Sequence, residues 1–335
     1  MTNGGQSRAE GPVMVTGGNG AIGRFVVAEL AARGMQSVVI SRSGDWRFAD
    51  LAQPISVAGD IRDLAALMSV IERHGVTRII HMAAFLLGCE GNPLLGFETN
   101  ACGTAVVLEA ARRSPQLGRV VFASTKAAFG PLNGEWGYPV YRPVAEDHPL
   151  RPSMTYGMSK KVAEDIAGHY RDHYGVDVLT VRFGTTCGPG KGEGHGAAAI
   201  TSTMIENAVD GKPTVVKQGG DERDDIIYNR DIAHGLVLAA LAPEPRHAVY
   251  HLASGELITL HDLAAAIREH MPGARITIGG GLDYMDLGMG NYCLMATERA
   301  REDLGFRPRH SLSEWVADYI RIYRASKVAG DPRGC

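Results

Sequence analysis

The chain reads as an α/β protein, a doubly wound parallel sheet followed by a smaller C-terminal α/β lobe. Two observations predict this. Short, wholly apolar runs alternate with helical patterns through the first half. Strands without a polar face, separated by helices, imply a parallel sheet covered on both sides. In addition, a glycine-rich turn, Gly17-Gly18-Asn19-Gly20-Ala21-Ile22-Gly23, joins the first apolar run to the first helical pattern.

The elements follow in order. Residues 12–16 predict a buried strand, and 22–33 a helix that stops at Gly34, a residue suited to a left-handed C-cap. Strands are expected at 37–40, 55–58, 78–81, 119–123 and 176–182, with helices at 64–74, 98–113 and 156–174 between them. Crossovers between parallel strands should be right-handed. After Phe183 the alternation loosens. Residues 188–196 form a glycine-rich loop that reads either as a linker or as a substrate lid. Helices are expected at 198–209, 231–241, 260–270, 296–304 and 313–323, with extended segments at 214–216, 225–228, 249–252 and 275–278. The segment 249–252 should return to the main sheet. This divides the chain into a nucleotide-binding domain at 12–182 with returning segments in 225–253, and a lobe at 183–224 and 254–323. Residues 1–11 and 327–335 read as flexible tails.

Composition narrows the function. With 335 residues, 45% of them hydrophobic, the chain can bury a large core. A formal net charge of -3 gives no basic field for nucleic acid or membrane. No apolar run approaches the roughly 18 residues of a membrane span. The polar, glycine-rich start lacks the apolar core of a signal peptide. Five cysteines, Cys89, Cys102, Cys187, Cys293 and Cys335, show no Cys-x-x-Cys pattern and read as free thiols of a cytoplasmic protein. His169 and His173 share a helix face, but no third ligand accompanies them, so no metal is expected.

The motifs point to a dinucleotide and to proton exchange. Gly17, Gly20 and Gly23, between a strand and a helix, permit a tight turn and close approach of backbone to a pyrophosphate. The helix start supplies N–H groups and partial positive charge. At the end of the second strand stand Ser41-Arg42-Ser43, where an NAD-binding chain would carry an acidic residue for the ribose 2′-hydroxyl. A guanidinium and two hydroxyls suit a 2′-phosphate. NADP is therefore the expected cofactor, with NAD the alternative. Asp60-Ile61 ends the third strand, where a carboxylate can take the adenine amine or simply cap the next helix. Finally, Tyr156 and Lys160 stand four apart on a predicted helix and share a face. A phenol titrates near pH ~10. A cation held beside it lowers that value and fits the phenol for general acid–base work.

With these residues read, the chain resembles the extended short-chain dehydrogenases/reductases, the superfamily of sugar-nucleotide epimerases, dehydratases and related reductases. The likeness spans residues 12–323. It rests on Gly17 to Gly23, Gly59-Asp60-Ile61-Arg62-Asp63, His81-Met82-Ala83-Ala84, Asn100-Ala101-Cys102-Gly103-Thr104, Ser124-Thr125, Tyr156 to Lys160, and Arg182-Phe183 running into Gly188-Pro189. The resemblance implies a Rossmann-type fold in which Tyr156 exchanges the proton and Lys160 holds the nicotinamide ribose and lowers the tyrosine pKa. It implies that Thr125 hydrogen-bonds the reacting oxygen and that Asn100 orders the helix and water beside the site. On the cofactor side it implies Asn19, Ala21, Ile22, Met82, Ala83, Ala84 and Phe183 beside the residues already named. On the substrate side it implies Phe85, Thr125, Lys126, Thr185 and Arg223. Family likeness also implies a homodimer through the Asn100 and Tyr156 helices, with Ala105, Val106, Ile166 and Tyr170 as the apolar stripe.

The departures shape the functional expectation. Dehydratases of this group carry an acidic residue directly after the Ser/Thr, whereas this chain has Lys126, which argues against elimination chemistry. Arg223 resembles the arginine that grips a nucleotide-sugar diphosphate, but it sits in the run Asp221-Glu222-Arg223-Asp224-Asp225, and such runs are usually solvated. The family's second diphosphate arginine is absent from 287–292. Residues 81–111 also resemble the threonine-dehydrogenase branch. The expectation is an NAD(P)-dependent oxidoreductase acting on a secondary alcohol or ketone of a polar, sugar-like molecule. A nucleotide-sugar 4-epimerase is the alternative. A non-enzymatic NADP sensor, the rival of another class, usually lacks the tyrosine or lysine that this chain keeps.

Overall fold

The computed structural model describes residues 11–48, 51–191 and 196–328. The tail expected at 1–11 lies outside them apart from Gly11, as does the middle of the expected lid, 192–195.

The expected parallel sheet is present. Its strands are β1 (Val13–Thr16), β2 (Ser37–Ser41), β3 (Ile55–Ala58), β4 (Arg78–His81), β5 (Arg119–Ala123), β6 (Val178–Phe183) and β10 (Val249–Leu252). They run β10-β6-β5-β4-β1-β2-β3, every pairing parallel. On one face α1 (Gly23–Ala32) and α7 (Asn229–Leu241) bury Phe25, Val26, Leu30, Leu236 and Val237 against the sheet. On the other, α2 (Leu64–His74), α4 (Gly103–Arg112) and α5 (Thr155–Tyr174) bury Leu67, Ile71, Val107, Leu108 and Ala163. Each buried Val, Leu, Ile or Phe here contributes about 1.5–3 kcal/mol over its exposed state, so burial from both sides holds these strands together.

Two departures from the expected elements bear on function. The helix expected at 98–113 begins earlier, as α3 (Pro93–Phe97), capped by Asn92, whose side chain accepts from the Leu95 N–H at 3.2 Å. It then passes through a π-helical turn, Glu98–Cys102, before continuing as α4. Such one-turn bulges gather at functional sites, and this one carries Asn100. The last helix, α10 (Leu312–Val328), runs past its expected end at 323, so the tail expected from 327 begins inside it.

The lobe holds β7 (Thr185–Cys187), β9 (Arg223–Tyr228) and β11 (Leu257–Thr259), ordered β11-β9-β7, and the pair β8 (Thr214–Val216) with β12 (Ile276–Ile278). Its helices α6 (Ile200–Val209) and α8 (Leu260–His270) pack with α10 around Met204, Leu263, Trp315 and Tyr319. The short helix α9 (Glu298–Asp303) lies beside β10. Neither β7 nor β11 was expected from the sequence.

Candidate active site

The glycine turn leaves β1 with Gly17 in the left-handed region, φ +74. A Cβ on Gly23 would lie 2.2 Å from the Gly17 oxygen, so the helix start packs on the turn only through glycine. Gly20 is exposed, while Ala21 and Ile22 are half-buried. Behind the turn, the Thr16 hydroxyl accepts from the Met82 and Ala83 N–H groups, each at 3.1 Å. It therefore donates to His81 Nδ1, 2.7 Å away. His81 Nε2 then donates to Thr104 at 3.1 Å, and Thr104 donates to the Asn100 carbonyl at 2.6 Å. Burial lowers the His81 pKa to about 3, so the ring is neutral. This chain of bonds ties the glycine turn to the π turn. Ala84 is exposed, Ile61 is buried in the core on the α2 and α4 side, and Phe183, the last residue of β6, is buried toward the α1 and α7 side.

Beyond β2, Arg42 and Ser43 are exposed and Ser41 accepts from the Gly44 N–H at 3.2 Å. Asn19 of the glycine turn donates to the Asp45 carbonyl at 2.7 Å. Asp60 does not cap α2. Asp63 does, accepting from the Ala66 N–H at 3.0 Å, because Arg62 takes the Asp60 carboxylate at 2.7 Å. That arginine, with a smaller contribution from Arg42, holds the Asp60 pKa below its usual range.

The second half of the site is α5. Glu90 caps it from outside, accepting from the Thr155 N–H at 2.6 Å and the Thr155 hydroxyl at 3.1 Å. A negative charge is favourable there. A Cβ on Gly157 would lie 2.4 Å from the Ala127 oxygen, so α5 and the short turn after β5 meet at van der Waals limit. Thr125 opens that turn, its hydroxyl accepting from the Ala127 N–H at 3.1 Å. The same hydroxyl hydrogen-bonds the Tyr156 phenol, whose pKa burial raises, and offsets a small part of that rise. Asn100 donates to the Phe85 carbonyl at 2.8 Å and to Ser159 Oγ at 2.9 Å, and its oxygen accepts from the Phe85 N–H at 2.7 Å. Ser159 in turn donates to the Tyr156 carbonyl at 2.8 Å. Asn100 thus fixes the helix turn between Tyr156 and Lys160. The motif Tyr156 to Lys160 contains Ser159, but its spacing gave no signal of this bond.

One expectation is corrected here. Lys160 does not depress the Tyr156 phenol in this structure. Enclosure by protein is the largest influence, and it pushes the phenol up, with nearby Cys89 adding to it. Lys160 is itself buried, its ammonium 4.4 Å from the Phe122 ring centroid, and desolvation lowers its pKa to about 7.

The substrate side brings further corrections. Lys126 is buried and bonded to Asp224 at 2.5 Å, so it presents no free ammonium. Thr185 is also taken, donating to Asp224 at 2.5 Å, and Tyr284 donates to the same oxygen at 3.0 Å. The Asp225 and Cys293 N–H groups complete this carboxylate at 3.0 and 3.2 Å. The acidic run is therefore not a solvated face: Asp224 and Asp225 have no exposed surface, and only Arg223 of the β9 start is exposed. Burial raises the Asp225 pKa to about 6. Phe85 is half-buried beside the site. A groove of about 330 Å³ opens nearby between Leu132, Tyr138, Glu222, Asp283, Met289 and Tyr292. It adjoins the start of α5, where Ser153 Oγ lies 3.3 Å from Met289 Sδ.

The His169 and His173 rings stack at 4.2 Å, and no cluster of metal-binding type occurs among the described residues. Val106, Ile166 and Tyr170, expected at a subunit interface, pack partly buried against the core of their own chain. No helix of the described residues is long and apolar enough to cross a membrane.

Comparison with known proteins extends this geometry. Residues 13–253 match the family model described as the NAD dependent epimerase/dehydratase family. A putative UDP-glucose 4-epimerase of Methanocaldococcus jannaschii is 26% identical over 308 residues, covering 91% of this chain and 95% of that protein. The crystal structure of Thermus thermophilus UDP-glucose 4-epimerase in complex with NAD is 26% identical, with TM-score 0.78 over 94% of this chain and 99% of that one. A partial consensus L-threonine 3-dehydrogenase is also 26% identical, with TM-score 0.79 over 94% and 99% of the two chains.

Proposed function

The chain belongs to the NAD dependent epimerase/dehydratase family, and we propose that it is an NAD(P)-dependent oxidoreductase acting on a secondary alcohol or ketone of a polar, sugar-like small molecule. The convergence of Thr125, Tyr156 and Lys160 around the turn that Asn100 fixes carries this reading. The glycine cradle that a Cβ would fill suits a dinucleotide pyrophosphate. Bound there, the nicotinamide supplies or accepts the hydride. Tyr156 passes its phenolic proton to the substrate oxygen in reduction and takes it back in oxidation. Thr125 orients that oxygen. Lys160, with a pKa near neutrality, is placed to charge when it meets the ribose hydroxyls and so to lower the phenol. Lys126 offers no carboxylate after Thr125, so elimination is not part of this reading.

NADP is the proposed cofactor, because Ser41-Arg42-Ser43 end β2 without an acidic residue and Arg42 is exposed there. Arg42→Asp should cost about 1.5–3 kcal/mol of NADPH affinity, the worth of a charge-assisted hydrogen bond. Tighter binding of NADH than NADPH by the unmutated protein would count against NADP.

The 4-epimerase names of relatives favour a second reading, in which hydride returns to the opposite face of the same carbon. One assay separates the two. A panel of sugar acids, polyols and nucleotide sugars is incubated with cofactor, and product and reduced-nicotinamide absorbance are followed together. An oxidoreductase changes the absorbance in proportion to product; an epimerase forms product with no net change. The groove beside the site, walled by Glu222 and Asp283, favours a substrate without a diphosphate. We also propose a homodimer through α3 and α5, where Leu94, Met158 and Val162 are 68%, 41% and 36% exposed. A monomer mass by light scattering would refute it.

A further inference from the structure

Arg24 is the second residue of α1, and its N–H donates to the Gly20 carbonyl at 3.3 Å. Its side chain is only 3% exposed. The guanidinium carbon lies 4.7 Å from the Phe25 ring centroid and 5.1 Å from that of Phe48. Nε and Nη2 are sealed from solvent and donate to nothing. Three arginines are buried among the described residues, Arg24, Arg119 and Arg182. Arg119 pairs with Asp177 at 2.9 Å and Arg182 with Glu164 at 2.7 Å. Arg24 alone has no carboxylate. A buried cation without an anion is strongly unfavourable, and stacking on rings offsets only part of that.

The surroundings indicate where the missing anion sits. Phe48 belongs to the segment that leaves β2 and carries Ser41, Arg42 and Ser43. Asn19, bonded to the Asp45 carbonyl at 2.7 Å, draws the glycine turn against this segment. Arg24 therefore lies between the phosphate-binding turn and the ribose-recognising loop. The N–H groups at the helix start would serve a pyrophosphate, whereas the Arg24 guanidinium lies against Phe48 of the segment that follows β2.

We infer that Arg24 is an inner cation for the 2′-phosphate of a bound NADP, working with Arg42 on the outside. This rests on the NADP reading above. A fixed guanidinium fork matches a phosphate better than an ammonium does. It would give the chain a phosphate preference that no single exposed arginine supplies.

The test titrates NADPH and NADH by fluorescence into the full chain and into Arg24→Met and Arg24→Lys. Methionine keeps length and packing against the two rings. Arg24→Met should bind NADPH roughly 10- to 100-fold more weakly, the worth of a charged hydrogen bond, and NADH, which has no 2′-phosphate to lose that bond, within about twofold of the parent. Unchanged NADH binding also shows that the variant is folded. Arg24→Lys should recover part of the loss. Equal loss for both cofactors would place the guanidinium on the pyrophosphate and overturn the assignment. NADPH binding unchanged in Arg24→Met, with the parent still preferring NADPH, would overturn this inference and leave the Arg42 reading intact. A parent with no preference would overturn both.

Discussion

Lys160 and Lys126 are both buried, and both stand within reach of the turn that carries Thr125. Lys160 lies over the Phe122 ring and forms no hydrogen bond among the described residues; burial lowers its pKa to about 7, and the charge of Glu164 offsets only part of that. Lys126 is held by Asp224 at 2.5 Å, on a carboxylate that Thr185, Tyr284 and two backbone N–H groups also fill. The same residue type is left without a hydrogen bond on the side proposed for the cofactor and completed on the lobe side. Arg24 repeats the first arrangement, and Arg182 with Glu164 repeats the second. An unfinished buried cation marks where a ligand is to supply the rest. A finished one marks where the protein joins its own parts, here the turn after β5 to β7, β9 and the segment at Tyr284.

This contrast can be broken at its strongest point. Asp224→Asn should leave Lys126 charged and unpaired, at a cost of about 3–5 kcal/mol. Urea denaturation reads this directly, and adding Lys126→Met should recover part of it, since a paired loss is cheaper than an orphaned charge. An Asp224→Asn protein as stable as the parent would show that the lobe cluster is no lock.

The cofactor side answers to pH instead. The Lys160 pKa is about 7 in the folded chain against 10.5 for an ordinary lysine. If bound ribose requires the ammonium, binding above that pKa takes up a proton, so affinity falls as pH rises. NADPH affinity should therefore drop by up to about tenfold per pH unit above neutrality, the limit for one linked proton. Lys160→Met should bind more weakly near pH ~6.5, where the parent lysine is charged, and lose this slope. A slope that survives the substitution assigns the proton to another group.

The smallest effect should come from Arg223, which with Asp221 is exposed in a run whose other members are buried. Arg223→Met should change stability by no more than about 0.5 kcal/mol, as surface substitutions usually do. A large loss in substrate affinity would instead give it the diphosphate-binding role of its counterpart in the family and strengthen the epimerase reading.

What was legible in the sequence follows the same division. The strands of the main sheet, the glycine turn and the Tyr156–Lys160 spacing are local patterns, and each stands where it was read. The π turn at Glu98–Cys102 was not legible, because a single five-residue turn inside a longer helix is too short for its changed spacing to stand out in the sequence. The burial of Asp224 was misread because its partner lies 98 residues away in sequence. A run of five ionisable residues looks solvated until the fold supplies a lysine. The strands β7 and β11 are each three residues long and draw their pairing from β9, so no period announces them. The lowered phenol was expected from Lys160 together with the cationic nicotinamide ring; with the protein groups alone, burial of the phenol dominates and raises its pKa.

The central claim is that Tyr156 moves the proton at a centre oriented by Thr125 and Lys160. Tyr156→Phe keeps the ring and removes only the hydroxyl. With a substrate found in the screen, turnover of this variant is measured beside its NADPH affinity. Turnover should fall by about 10²–10⁴-fold, the usual contribution of a positioned proton-transfer group, while NADPH binds as it does to the parent. A Tyr156→Phe protein that turns over at the parent rate would contradict the account, because the tyrosine would then be only a packed residue of α5.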